Sequence, residues 1–315
     1  MSRGELFMQH SQGTFLGTSK TELFYQTWRP AKPARAVIIG MHGLGDHSGG
    51  LCTIVKHVVQ MDYAWYGFDL RGHGRSPGIR GHVAKWSDIQ KDLEAFLQLV
   101  IDREPDRPVF LIGHSLGGLI CLDYAIQNPE GLSGIIAISP LLGYSAISPL
   151  VKIHLGLISH VKPAFILEGQ AKNEKLTRDS EILKILEKDP LRHNRISAGF
   201  WREIDSRRKW VGVHAKYLHV PLLLLYGSED HVTPAKPIDR FFQTMSFVEK
   251  ERHDYKDSRH RPFDDLNRME VLGHLAAWLT TRLSTKKGIV LEKRVCRTNL
   301  KDQAVSEKMM ANRAL

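Results

Sequence analysis

Cysteine is scarce in this chain, and the few present are scattered. Cys52, Cys121 and Cys296 are the only three in 315 residues, and their spacing matches no metal site. They fit a reduced, cytosolic chain better than a disulfide framework. Long apolar runs are missing as well. No stretch reaches about 18 uninterrupted apolar residues, so no membrane-spanning helix is expected. Residues 1–12 contain no apolar h-region, so no secretory signal is expected. There is no internal repeat and no nucleic-acid motif.

What is present is charge, unevenly placed. Of the formal net charge of +10, residues 144–216 carry +6 and residues 284–315 carry +5, which leaves the remainder at −1. Basic surfaces of this kind meet nucleic acid or an anionic membrane. With no nucleic-acid motif beside them, peripheral contact with an anionic membrane is the expectation. A solvated basic face without a partner is the alternative. The length and the 42% hydrophobic content suit one large domain of about 250 residues plus an insertion or tail.

Short apolar runs at Ala36–Met41, Tyr63–Phe68, Val109–Ile112, Gly134–Ile138 and Leu222–Leu225 read as buried parallel strands. Helical patterns lie between them. Ser87–Arg103 has Ile89, Leu93, Phe96, Leu97, Val100 and Ile101 on one stripe, and Ser87 with Gln90 forms a capping-box pattern. Alternating strand and helix implies an α/β fold with a mostly parallel sheet. The alternation stops between about Tyr144 and Lys216, which reads as helical, charged and free of strands. It opens on Ser148-Pro149, an N-cap followed by Pro at the first helical position, and continues with an apolar stretch over Leu150–Val161. The expected organisation is a core of residues 1–143 and 217–283, a helical cap over 144–216, and a basic, loosely held tail over 284–315. Arg268–Leu283 is the last core helix.

Gly113-His114-Ser115-Leu116-Gly117 follows a predicted strand and opens a predicted helix. This is the strand-to-helix elbow of a nucleophilic serine. Glycines flank Ser115 because a Cβ would clash in so tight a turn, and the helix N-terminus favours developing negative charge. A serine nucleophile needs a base, and the base needs an orienting acid. In such sheets the order is Ser, acid, His, with each at the carboxyl end of a strand. Asp230 follows the strand Leu222–Leu225; Glu229 is its rival. His260 follows a strand predicted from Ser246 to about Tyr255 and precedes the final helix. His253 falls in that strand and His274 in the helix. The backbone N–H groups of Leu116 and Leu44 are the expected oxyanion donors, with His42 bracing the loop that carries Leu44.

His42-Gly43-Leu44-Gly45-Asp46-His47-Ser48 resembles the H-G-x-G-E-H-S loop of monoacylglycerol lipases and related lysophospholipases. Asp69-Leu70-Arg71-Gly72-His73-Gly74-Arg75-Ser76 resembles their D-x-R-G-H-G-x-S segment, which Gly78–His82 continues. Gly113–Gly118, Gly227–Asp230 and His260-Arg261-Pro262-Phe263 complete the set. The likeness runs from about Gly13 to Leu283. It implies the α/β-hydrolase fold, with Ser115, Asp230 and His260 on the triad positions and Leu44 and Leu116 on the oxyanion positions. Asp46 and His114 are expected to contact substrate. Asp46 stands where Glu is usual. Gly50 stands where some members carry an Arg that helps hold the glycerol head. Phe263 stands where the mammalian enzyme has a second His. These departures bear on the alcohol side of the substrate rather than on ester chemistry.

The expectation is a serine carboxylic-ester hydrolase, cytoplasmic or peripherally bound to membrane, cleaving a lipid monoester with no metal or organic cofactor. Lys152 and Lys162 of the cap would face anionic head groups, and the helix near Leu150–Val161 would cover an acyl channel. A proline-iminopeptidase-like peptidase and an acyltransferase share the fold and triad. The former would want an acidic anchor in a cap that is instead basic. A non-catalytic binding protein on the same scaffold usually lacks a triad member, and all three are present here.

Overall fold

The computed structural model describes residues 8–144, 149–168 and 173–285, with backbone alone at 149–154 and 285. Its centre is an eight-stranded sheet. The strands are β1 (Met8–Leu16), β2 (Glu22–Pro30), β3 (Ala36–Met41), β4 (Tyr63–Phe68), β5 (Val109–His114), β6 (Leu132–Ile138), β9 (Leu222–Gly227) and β10 (Lys250–Tyr255), in the spatial order β1-β2-β4-β3-β5-β6-β9-β10. From β4 to β10 all neighbours are parallel, while β1 and β2 join as an antiparallel hairpin.

The central runs are apolar throughout because both faces are covered. Val37, Ile39, Leu111, Ile135 and Ala137 point to one face. There they pack with α2 (Trp86–Arg103), α3 (Leu116–Gln127), α6 (Ala198–His214) and α7 (Ala235–Thr244). Ile38, Phe110, Ile112, Ile136 and Ile138 point to the other, against α1 (Cys52–Gln60) and α8 (Arg268–Thr285). Each fully buried Val, Ile, Leu or Phe among them contributes about 1.5–3 kcal/mol of apolar transfer.

The β1–β2 hairpin has no counterpart in the sequence reading. β1 is largely exposed and polar. It is held by cross-strand pairs instead: Ser11 and Thr27 hydroxyls at 2.6 Å, and the His10 ring stacked on Trp28 at 4.7 Å.

The start of α2 also differs from expectation. The helix begins at Trp86, and Lys85 at its N-cap supplies no side-chain bond. The Trp86 N–H donates instead to the Glu203 carboxylate of α6 (2.9 Å), and Gln90 Nε2 donates to Asp123 of α3 (2.7 Å). Distant carboxylates, which accept more strongly than a hydroxyl, replace the local capping box.

Between β6 and β9 the chain leaves the sheet. This insertion contains α4 (Pro149–Val161), β7 (Ile166–Glu168), α5 (Ser180–Lys188), β8 (Arg195–Ser197) and α6. It is not free of strands: β7 and β8 pair antiparallel over three residues each. α4 packs on α6, with Leu155 and Ser159 buried and Leu157 and Val161 exposed. Ser148, the Lys152 side chain and residues 286–315, with the expected role of the tail, lie outside the described residues. Among the described residues no helix is long and apolar enough to cross a membrane.

Candidate active site

Four loops at the carboxyl ends of β3, β5, β9 and β10 converge. Ser115 occupies the turn between β5 and α3 with φ 55° and ψ −116°, a strained conformation for a residue with a Cβ. Its N–H donates to Ile138 C=O (3.0 Å), and its C=O accepts from Leu119 (3.1 Å) and Leu141 (3.0 Å). The turn tolerates no bulk beside it. A Cβ at 113 would lie 2.3 Å from Gly117 O, and one at 117 would lie 2.1 Å from Met41 O. Leu116 is the first residue of α3, so its N–H lies at the positive end of a twelve-residue helix.

The loop after β3 abuts the elbow. A Cβ built on Gly43 would be 3.2 Å from Ser115 Cβ, and half-buried Leu44 follows directly. His42 braces this loop in one tautomer. Its Nδ1 donates to Gly43 C=O (2.8 Å), and its Nε2 accepts from Leu70 N–H (3.0 Å). Burial lowers its pKa, which keeps the ring neutral as that pattern requires.

Asp230 and His260 meet at 2.8 Å, between carboxylate Oδ2 and ring Nδ1. Asp230 Oδ1 also accepts from the N–H groups of Val232 and Thr233, both at 2.8 Å. Burial pushes its pKa up, but His260 and these hydrogen bonds outweigh burial and hold it at about 2. The acid is therefore ionised and keeps Nδ1 protonated, which leaves Nε2 of His260 as the basic nitrogen. Among the described residues no hydrogen bond joins His260 to Ser115 Oγ. Such contacts commonly tighten only when substrate is bound.

Thr233 was not singled out in the sequence, although a hydroxyl three residues after an acid is a recognisable turn pattern. Its Oγ1 lies 2.7 Å from Asp230 Oδ2, 3.1 Å from Ser139 C=O and 3.2 Å from His260 Nδ1. With one proton it serves one acceptor at a time. Glu229 is exposed and lies 3.6 Å from His231, away from the His260 ring. His253 bonds Glu251 and stacks on His274, which in turn meets the Tyr255 hydroxyl.

Asp46 and His114, expected to contact substrate, both make contacts within the protein, while His114 Nδ1 has no hydrogen-bond partner among the described residues. His114 is buried, and its Nε2 donates to His260 C=O (3.0 Å) with the two rings 4.7 Å apart. Burial pushes its pKa well below the usual value. It supports the base loop from beneath. Asp46 is buried between Arg192 (3.1 Å) and Arg261 (2.7 Å). Burial alone would raise its pKa, yet the two guanidinium groups hold it far below the carboxylate range. Its carboxylate is thus spent on internal ion pairs rather than offered to a ligand. The cavity of about 340 Å³ beside this region is lined by exposed charged neighbours of the triad, among them Glu229, His231 and Arg259, and not by Ser115.

Residues 32–267 match the serine aminopeptidase S33 family of hydrolases. The chain is 28% identical to monoglyceride lipase of Rattus norvegicus over 267 residues, covering 83% of this chain and 88% of that protein. It is 27% identical over 283 residues to an abhydrolase domain-containing protein of Dictyostelium discoideum. That match takes in 89% of this chain but 30% of the length of that larger protein. Among solved structures, monoacylglycerol lipase of Paleococcus ferrophilus superposes with a TM-score of 0.73 at 26% identity, covering 87% of this chain and 99% of the other. With the sheet order, the elbow serine and a family match spanning most of its length, the chain belongs to the serine aminopeptidase S33 family and is a serine ester hydrolase on the α/β-hydrolase fold.

Proposed function

We propose that the chain hydrolyses a lipid monoester, of the monoacylglycerol or lysophospholipid class, through an acyl-enzyme on Ser115. His260 takes the Ser115 Oγ proton as the oxygen attacks the ester carbonyl. The oxyanion is received by the N–H groups of Leu44 and Leu116. His260 then gives the proton to the leaving alcohol. Water, deprotonated in turn by His260, attacks the acyl-enzyme and releases the fatty acid. Asp230 keeps the imidazole in its working tautomer and stabilises the imidazolium.

The observation that carries this reading is the Asp230–His260 hydrogen bond, on loops that converge with a strained serine at a helix N-terminus. The names of the lipase relatives favour a lipid ester. So does the exposed apolar edge of the insertion, where Leu157, Val161 and Phe165 stand beside Lys162. A one-sided contact with an anionic bilayer through that edge belongs to the same proposal, each basic residue near the surface contributing about 1 kcal/mol.

Aminopeptidase activity is disfavoured by the charge of the insertion. A substrate amine wants an acidic anchor, but residues 144–216 carry a net +6, and Asp179, Asp205 and Glu168 are paired with Arg268, with Arg208 and Lys209, and with Arg195 respectively. The test is hydrolysis of p-nitrophenyl esters of graded chain length, then monoacylglycerol against lysophospholipid, with Ser115→Ala as control. The alanine variant should lose on the order of 10⁶-fold in kcat. Full activity in that variant would refute the nucleophile assignment.

A further inference from the structure

The two halves of the proposed machinery sit on loops far apart along the chain. Leu44 lies in the turn after β3, and His260 in the loop after β10. What joins them is a buried ion pair. Asp46, two residues beyond Leu44, accepts from Arg261 Nη1 at 2.7 Å. Arg261 follows the general base directly and is 2% exposed. Its Nε and Nη2 donate to Asp264 Oδ2 (2.9 and 2.7 Å), and Nη2 also donates to Gly50 C=O. Asp264 in turn accepts from the Thr53 hydroxyl of α1 at 2.5 Å. The arrangement needs glycine at position 50, where a Cβ would lie 2.1 Å from Asp46 Oδ1.

A third stretch of chain reaches the same carboxylate. Arg192 Nη1, from the insertion, lies 3.1 Å from Asp46 Oδ1. The residues around Arg192 grip the same turn. Asp189 bonds His47 Nε2 at 2.7 Å, and His193 N–H donates to Gly45 C=O at 3.0 Å. Oxyanion turn, base loop and insertion therefore meet at one carboxylate.

We propose that Arg261 and Arg192 are positioning residues that act through Asp46, holding the Leu44 N–H in register with His260 and making the insertion part of that alignment without touching substrate. The proposal rests on the reading of Ser115, His260 and Leu44 given above. Its physical basis is geometric. An oxyanion donor works at about 2.7–3.1 Å from the developing charge, while the base must stay within hydrogen-bond reach of Ser115 Oγ. Those two positions are set on separate loops, and a misplacement of about 1 Å can cost about 100-fold in rate. A buried planar guanidinium held by Asp264 and Gly50 while its Nη1 bonds Asp46 is stiff enough to fix such a separation, and a flexible lysine ammonium is less so.

The test uses the full chain carrying Arg261→Gln, Arg261→Lys, Arg192→Gln, Asp46→Asn and the Asp46→Asn/Arg261→Gln double change, with Ser115→Ala as control. Three quantities are measured: kcat and KM on a short p-nitrophenyl ester, the inhibition constant of an alkyl trifluoromethyl ketone, and the thermal midpoint. The ketone adds to the serine as a tetrahedral oxyanion, so it reports alignment independently of turnover. Arg261→Gln and Asp46→Asn should lower kcat about 10- to 100-fold, with KM changed less than about 3-fold and ketone affinity falling in parallel. The double variant should be no worse than the more impaired single variant within about 2-fold, since the Asp46–Arg261 bond is lost in either. Arg261→Lys should recover part of the loss, and Arg192→Gln should cost about 3- to 10-fold. If Arg261→Gln does not fold, Arg261→Lys and Arg192→Gln decide the matter. Wild-type kcat and ketone affinity in those two folded variants, or a loss confined to KM, would overturn the proposal while Ser115→Ala remained inactive. An active Ser115→Ala would instead overturn the reading beneath it.

Discussion

The two halves of the β6–β9 insertion are attached in opposite ways. From Leu176 to Arg195 the chain is pinned to the loops after β3 and β10 and to the turn leading into α8. Leu176 C=O accepts from Arg261 N–H (2.8 Å), Arg178 and Arg268 bridge to Asp265 and Asp179, and Asp189 and Arg192 hold the turn after β3. From α4 to Phe165 the attachment is to α6, and Leu157, Val161 and Phe165 are left exposed at 64, 80 and 47%. One half is ionic, directional and close to the chemistry. The other is largely apolar, with exposed His160 and Lys162 set among Leu157, Val161 and Phe165. On the proposed reading the insertion carries two tasks, aligning the Ser115 and His260 loops and meeting the substrate phase, and substitutions should separate them.

The largest break should come from the pinned half. Asp265 is fully buried and accepts from Arg178 Nε (3.0 Å) and from the N–H groups of Arg259 (2.7 Å) and Arg178 (3.1 Å). Asp265→Ala leaves those donors and a guanidinium without their acceptor. Denaturant titration should show a loss of about 3–5 kcal/mol, together with a fall in kcat on soluble and dispersed esters alike. An unfolding curve superimposable on wild type would mean that this half is not pinned by Asp265.

A smaller effect should appear with acid. His193 is half-buried, its Nε2 donating to Gly72 C=O (3.2 Å) and its Nδ1 accepting from Arg195 N–H (3.2 Å). Burial first, then the neighbouring Arg80 and Arg195, lower its pKa to about 4. An imidazole depressed in this way favours the fold while neutral. Its contribution is complete above the unfolded value near 6.5 and is lost as pH falls from there through about 4. The thermal midpoint should drop across that window, by the equivalent of about 1–2 kcal/mol. His193→Gln should flatten the drop, and an unaltered pH profile in that variant would assign the acid sensitivity elsewhere.

The smallest effect on folding should come from the apolar half. Leu157→Ser and Val161→Ser should leave stability within about 0.5 kcal/mol. Hydrolysis of soluble short-chain esters should be unchanged, while turnover of vesicle-borne monoester falls several-fold. Equal losses on both substrates would merge the two halves into one function.

Much of the sheet was legible because its signal is local. A strand covered on both faces reads as an apolar run, and Ala36–Met41 and Tyr63–Phe68 have the predicted bounds. The hairpin β1–β2 was not legible, since Met8–Leu16 is polar and exposed and owes its order to partners across the hairpin. β7 and β8 are three residues each, too short for any period to register. The candidate site divides in the same way. Ser115 announces itself through the glycines its turn requires, and Asp230 and His260 through their order along the chain. Asp46 and His114 could be placed near the site by their neighbours, but not given a job. The partners that occupy them, Arg261 and the His260 carbonyl, are 215 and 146 residues away.

The sequence by itself determined the chemistry on offer: an elbow serine, an acid and a histidine in hydrolase order, and apolar runs that must be buried as a parallel sheet. Those features follow from short-range sterics and from the hydrophobic period, both of which are written in neighbouring residues. Only the tertiary structure decided how charge is spent. Nothing in the sequence marks Asp46, Arg261, Arg192 or Asp265 as members of buried ion pairs. Burial forces each to find an opposite charge, and that charge lies on another loop, so the fold and not the motif determines which side chains face the substrate and which hold the loops together.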